Sequence, residues 1–147
     1  MPHSLARTLR HCARYVWAGP VSVLGLAAAA PAVLLGATVQ RVDGILEVSG
    51  GRLPRWMAHL PAACQFGGMT LGHVVLCTCP ATMAALRSHE QVHVRQYEQW
   101  GALFLLAYPA CSLWALLHGR HPYHRNWFEQ QACKGATVKK QNNYQKL

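Results

Sequence analysis

The chain has 147 residues, enough for one domain of ordinary size and too few for a separate regulatory module. Its formal charge of +9 comes from 14 Lys and Arg against 5 acidic residues, which favours anionic surfaces without specifying any chemistry. The basic residues form no stripe interleaved with aromatics, and no helix-turn-helix, zinc-finger or RNA-binding signature is present, so no specific nucleic-acid partner is expected.

Residues 1–14 form a basic amino-terminal flank with Arg7, Arg10 and Arg14. Residues 15–39 then run without one charged group. That stretch suits a tilted transmembrane helix, because about 20 apolar residues cross a hydrocarbon core of roughly 30 Å. Pro20 and Pro31 are tolerated more readily in such a helix than in a soluble one. A cleaved targeting peptide fits less well. The run exceeds the usual apolar region of about 7 to 15 residues, and Leu35-Gly36-Ala37 is a weak cleavage site. The segment therefore reads as a retained signal anchor, its basic flank in the cytoplasm and the remainder outside. Arg52 and Arg55 on the far side weaken that bias.

Residues 40–135 carry the domain. Val39, Val42, Ile45, Leu46 and Val48, with Asp43-Gly44 and Gly50-Gly51 as turn signals, predict a small hairpin or strand pair. Residues 55–60 predict one short helical turn before Pro61, and residues 70–77, bounded by glycines and Pro80, predict a single strand. Pro80 opens a helix expected to reach Trp100, along which Leu86, His89, His93, Gln96 and Trp100 share a face. Residues 101–117 are apolar, contain Pro109 and sit at the short limit of a membrane span. A single crossing there would separate the two sides of the chain. The stretch is therefore read first as a buried core or peripheral segment, with two short helices broken near Pro109 or a re-entrant hairpin as alternatives. Residues 126–132 predict a second short helix ending near Gly135, and residues 136–147 a basic flexible tail. The cysteines, Cys12, Cys64, Cys77, Cys79, Cys111 and Cys133, lack a double CxxC spacing and are read as small buried residues or as disulfide partners rather than as a cysteine metal site.

His89-Glu90-Gln91-Val92-His93 is an HExxH motif inside the most regular predicted helix. Histidines four apart project from one side of a helix one turn apart, so both can reach a single Zn²⁺, with Glu90 facing the water that such an ion binds and serving as general base. Nine histidines raise the chance of an accidental match, but a motif in a regular helix that follows a strand argues for function. Catalytic zinc usually takes three protein ligands, and no histidine lies six residues after His93. Glu129 on the second short helix is the best third ligand. Its alternative role is a capping box with Asn126, three residues before it. Glu98 points away from the histidine pair, and Glu47 on the predicted hairpin is a distant reserve.

With Glu129 placed, His89-Glu90-Gln91-Val92-His93 resembles the gluzincin group of zinc peptidases, especially compact bacterial membrane-associated or secreted gluzincin-like proteins. The likeness is carried by the HExxH run, by Thr70-Leu71-Gly72-His73-Val74-Val75-Leu76 before it, by His93-Val94-Arg95-Gln96-Tyr97 over its second histidine, and by Asn126-Trp127-Phe128-Glu129-Gln130-Gln131-Ala132. It covers residues 42–133 and leaves the amino-terminal anchor and the tail outside.

The resemblance implies an α+β fold with a minimal zincin-like core: a small β-sheet or hairpin, the HExxH helix and a glutamate-bearing helix, preceded by the apolar anchor. It implies Zn²⁺ as cofactor and hydrolysis of peptide or protein substrates at a bacterial cytoplasmic membrane, with the catalytic domain on the extracytoplasmic face. An edge strand beside the metal helix would hold the substrate, through Thr70, Leu71, Gly72, His73 and Val74. Oxyanion donors are sought among Tyr97, Tyr108, His118, His121, Tyr123 and His124, with Tyr123 and His124 the preferred catalytic pair because a loop could swing them in. The chain departs from larger gluzincins in having no separate substrate domain. A non-catalytic zinc-binding membrane protein that serves as a partner-binding module is the alternative.

Overall fold

A computed structural model describes residues 2–59 and 67–144. Asp43-Gly44 takes positive φ at both positions, 51° and 81°, which is the backbone of a two-residue hairpin turn. It joins β1 (Thr38–Val42) to β2 (Ile45–Ser49), with Val42 opposite Ile45.

Residues 70–77 do not form one strand. The chain reverses at Gly72-His73, giving β3 (Gly68–Leu71) antiparallel to β4 (Val74–Cys77). Gly72 has φ +61°, and Ser22 of the first helix occupies the space where a Cβ would stand. β4 pairs in parallel with β2, so the mixed sheet runs β1-β2-β4-β3 and leaves β3 on an edge. All four residues of β4 are buried, as the inner position requires.

Among the described residues five α-helices complete an α+β architecture: α1 (Pro2–Leu34), α2 (Leu53–Ala58), α3 (Pro80–Trp100), α4 (Phe104–Leu117) and α5 (Trp127–Tyr144). Cys79 caps α3 by accepting from the Thr82 backbone N–H, Pro80 fills its first turn, and Gly101 at φ 57° ends it. Glu47, buried on β2, takes Arg87 of α3 in a two-pronged pair at 2.8 and 2.9 Å and Gln40 at 2.7 Å. That satisfies a buried carboxylate and fixes α3 against the sheet, and it uses up the reserve metal ligand.

α1 packs through Ala18, Val21, Ala29 and Ala32, at helical spacing. Gly25 belongs to the same face, and an added Cβ there would lie 2.6 Å from the Leu71 carbonyl oxygen. The other side of α1, with Val16, Trp17, Val23, Leu24, Val33 and Leu34, is exposed. Two helical stretches, Cys12–Leu34 and Pro80–Leu117, are long and apolar enough to cross a membrane.

Three expectations change here. Residues 101–117 are not a buried core segment and are not broken at Pro109. A short 3-10 turn leads into α4, one continuous helix in which only Phe104 and Ala115 are buried. α5 runs past Gly135 to Tyr144, because Gly135 lies against Val92 of α3, where a Cβ would come within 2.9 Å of it. The five described cysteines are all free, and only Cys77 is buried; Cys64 lies outside the described residues, as does the end of the turn expected over 55–60.

Candidate metal centre

On α3 the His89 and His93 rings bring their Nε2 atoms to 3.1 Å of each other. Glu129, in the first turn of α5, brings Oε2 to 3.2 Å from His89 Nε2 and Oε1 to 3.4 Å from His93 Nε2. These side chains form a group that could hold a metal ion. With one ligand atom taken from each residue, these atoms all lie within 4.8 Å of one another, and the His89–His93 and His89–Glu129 separations of 3.1 and 3.2 Å are close to the edge of about 3.3–3.6 Å expected around a four-coordinate ion.

The capping-box reading of Glu129 fails on geometry. Asn126 caps α5 alone: its Oδ1 accepts the Phe128 N–H at 2.9 Å, while its own N–H is taken by the Tyr123 carbonyl at 3.1 Å. Its Nδ2 donates to Tyr108 O at 3.0 Å and to Ser112 Oγ at 2.8 Å, which ties the start of α5 to α4. Glu129 is left free to point at the histidines.

The His93 tautomer follows from its neighbours. Gln96 Nε2 donates to Phe128 O at 3.1 Å and to Gln131 Oε1 at 2.8 Å, so its oxygen must face His93 Nδ1, 2.8 Å away. His93 therefore carries a proton on Nδ1, which leaves Nε2 as the ring atom that faces the site. His89 Nδ1 faces Cys133 Sγ at 3.9 Å.

Glu129 Oε1 accepts the Tyr108 hydroxyl at 2.6 Å. Oε2, although 3.2 Å from His89 Nε2, is the one buried side-chain oxygen among the described residues without a hydrogen bond. A buried carboxylate oxygen with no donor is costly unless a cation faces it. Burial pushes the Glu129 carboxyl up, but the adjacent His89, His93 and Tyr108 groups outweigh it and hold the group well below the usual carboxylate range. Glu129 is thus a carboxylate at neutral pH.

Neither a protein-family model, nor a curated protein, nor a solved structure matches this chain. The His89, His93 and Glu129 site therefore stands on its own geometry.

A cavity of about 790 Å³ opens beside His89, His93 and Glu129, between edge strand β3 and α4. Glu90 lines it, 4% exposed, and accepts the Thr70 hydroxyl on Oε2 at 2.7 Å. Gly68 is required beside it, since a Cβ there would sit 2.6 Å from Glu90 Oε1 and 3.1 Å from Cys77 Sγ. Burial, followed by the Glu90 and Glu47 charges, pushes the Cys77 thiol up to about 12, so it stays protonated.

Of the residues expected at a substrate strand, Thr70 and Leu71 line the cavity. Gly72 and His73 lie instead in the turn against Ser22, and Val74 is buried on inner strand β4. The edge strand beside the site is β3, with Gly68 and Met69 in place of the last three. Tyr123 also lines the cavity, and burial and the Glu129 charge raise its hydroxyl, keeping it a donor. His124 is not brought in: its exposed ring packs on His121 and Tyr123. Tyr97 packs edge-on against Phe104 at 4.5 Å and walls the site. Glu98 pairs with His73 and Arg14, away from the ligands.

Sequence reasoning did not assign the roles of Gln96, Gly68 and Cys133. Gln96 had a signal, since it follows His93 by three on the same helical face.

Proposed function

We propose that the protein is a membrane-associated zinc peptidase of gluzincin type, with His89, His93 and Glu129 as ligands and Glu90 as general base. The observation that carries this reading is the convergence of two imidazole Nε2 atoms, 3.1 Å apart, on the carboxylate of Glu129, whose Oε2 lies 3.2 Å from His89 without a hydrogen bond and whose Oε1 lies 3.4 Å from His93. Two imidazoles and one carboxylate would hold zinc, and they match the three protein donors of a catalytic zinc site.

Zinc, when bound, acidifies a water and polarises a carbonyl. Glu90 takes one proton from the attacking water as its oxygen bonds to the amide carbon, then delivers that proton to the nitrogen as the C–N bond breaks. Tyr123 supplies a hydroxyl donor at the cavity for the developing oxyanion, whereas the Tyr108 hydroxyl is committed to Glu129. The free edge of β3 offers backbone hydrogen bonds to an extended substrate.

The experiment measures bound metal and peptide hydrolysis on the full chain in detergent or nanodiscs. One zinc per chain is expected, lost in His89→Ala and His93→Ala and much weakened in Glu129→Ala; unchanged metal in all three sinks the site. Glu90→Gln is expected to keep its zinc and lose turnover. The Thr70 hydroxyl on Glu90 is one observation that favours a second reading, a non-catalytic zinc protein that serves as a partner-binding module. That reading gains if zinc is bound and a broad peptide screen shows no cleavage.

A further inference from the structure

α4 is apolar on every side and covered on few. Leu106 is 71% and Leu117 73% exposed, and Leu113, Trp114 and Leu116 are exposed with them. A helix that is apolar all round belongs in a core or in lipid, and the described fold supplies no core for this face. Its opposite side is committed to the metal site, where Phe104, Tyr108 and Pro109 wall the cavity. Leu105 belongs to both surfaces, half-exposed and cavity-lining, and Tyr123 sits at the same rim.

α1 extends this surface. The Trp17 indole lies on Gly101 just before α4, and Val16, Trp17, Val23 and Leu24 are exposed.

The apolar stretch Pro80–Leu117 is divided at Gly101, where φ is 57°, so α4 meets a bilayer by its own length. Its 14 residues rise about 21 Å at 1.5 Å each, short of a hydrocarbon core of about 30 Å. Glu129 must also return to the histidines on the side from which α4 started. The helix can therefore lie in one leaflet but cannot cross.

Charge selects the occupant. His118, Arg120, His121, His124 and Arg125 follow α4, all exposed, and no acidic residue occurs between Glu98 and Glu129. Such a cationic edge on an apolar helix complements anionic headgroups. It opposes a second copy of this chain, whose net charge is +9 and whose like-charged edge would be brought near this one.

We infer that the outer face of α4 is inserted in one leaflet of an anionic bilayer, so that the cavity mouth at Leu105 and Tyr123 meets the membrane surface and takes polypeptide segments lying there. The statement about substrate rests on the peptidase reading; the insertion does not.

The test uses the full chain in phosphatidylglycerol-containing vesicles, with Trp114 as the sole tryptophan after Trp17, Trp56, Trp100 and Trp127 are each changed to Phe. Trp114 emission is expected to fall at least about two-fold with lipids brominated along the upper acyl chain, and to resist aqueous acrylamide. Quenching by acrylamide with no response to bromolipid overturns the insertion. So does shielding from both that disappears on dilution with empty vesicles, which would mark a second copy. If the quadruple variant loses its helical circular dichroism, the same quantity is read as the quenching difference between wild type and Trp114→Phe.

Zinc content is measured on the same samples. Lost quenching with zinc intact overturns the insertion alone, whereas lost zinc with quenching intact overturns the metal reading alone. For substrate, a lipid-tethered peptide is expected to be cut at least about ten-fold faster than its soluble form in wild type, with the preference lost in Leu106→Arg/Leu117→Arg. Equal rates in wild type overturn delivery from the membrane surface.

Discussion

α3 carries two clusters of histidine and glutamate, and only one has ligand atoms to spare. Near its carboxyl end, Glu98 meets His73 Nε2 at 3.4 Å and Arg14 at 3.7 Å. His73 Nδ1 faces Ser22 Oγ at 3.2 Å, and its backbone N–H donates to the same oxygen at 3.0 Å. The His73 ring stacks on Tyr15, centroids 3.9 Å apart. Every polar atom of that ring is matched by a neighbour, so the cluster fastens α1 to the sheet and to α3. One turn earlier the His89 and His93 Nε2 atoms face each other at 3.1 Å, beside a carboxylate oxygen that receives no hydrogen bond. The residue types are the same in both; what separates a fastener from a metal site is whether the surroundings already satisfy the lone pairs.

The largest expected effect separates the two clusters outright. His93→Ala should abolish stoichiometric metal binding, while His73→Ala should leave it intact and cost about 1–3 kcal/mol of stability, read by thermal unfolding alongside elemental analysis. Equal metal loss from both would erase the distinction. Gln96→Leu, which removes the acceptor that sets the His93 tautomer, should weaken metal binding about 10–100-fold in competition with a chromophoric chelator, and Gln96→Glu should recover most of it. A Gln96→Leu protein with wild-type affinity would show that the imidazole needs no such partner.

Gly68→Ala should push the Glu90 carboxylate from its place, lowering turnover about ten-fold with metal content unchanged. Thr70→Val should be the mildest, costing about 1 kcal/mol of stability by removing one hydroxyl from Glu90, with a change in kcat of a few-fold. An effect of Thr70→Val on metal content would mean that Glu90 reaches the ion itself.

The helix α3 was legible because its signals are local: Pro80 at the start, Gly101 at the end and apolar spacing between, and it spans Pro80–Trp100 as expected. Glu129 was legible by elimination, since the chain holds few acids and Glu47 and Glu98 had other places. The reversal at Gly72-His73 was not, because Ser22, fifty residues earlier in the chain, packs into that turn and replaces the missing Cβ. Nor was the parallel pairing of β2 with β4, which no local pattern encodes. Gly135 reads in sequence as a helix stop, yet it serves as a point of close approach to Val92. Composition could not tell a buried apolar α4 from an exposed one, because both are written with the same leucines.

Asn126 gives the ligand set a further property. By holding the start of α5 to the Tyr108 carbonyl and Ser112 hydroxyl, it makes the position of Glu129 depend on α4 being docked. The two histidines come together as soon as one helix forms, whereas the carboxylate arrives only after the intervening chain has closed. An ion on all three would act as a cross-link over that closure and would restrict the unfolded chain most where the loop is longest. Its removal should then loosen α5 from α3 before it disturbs the sheet.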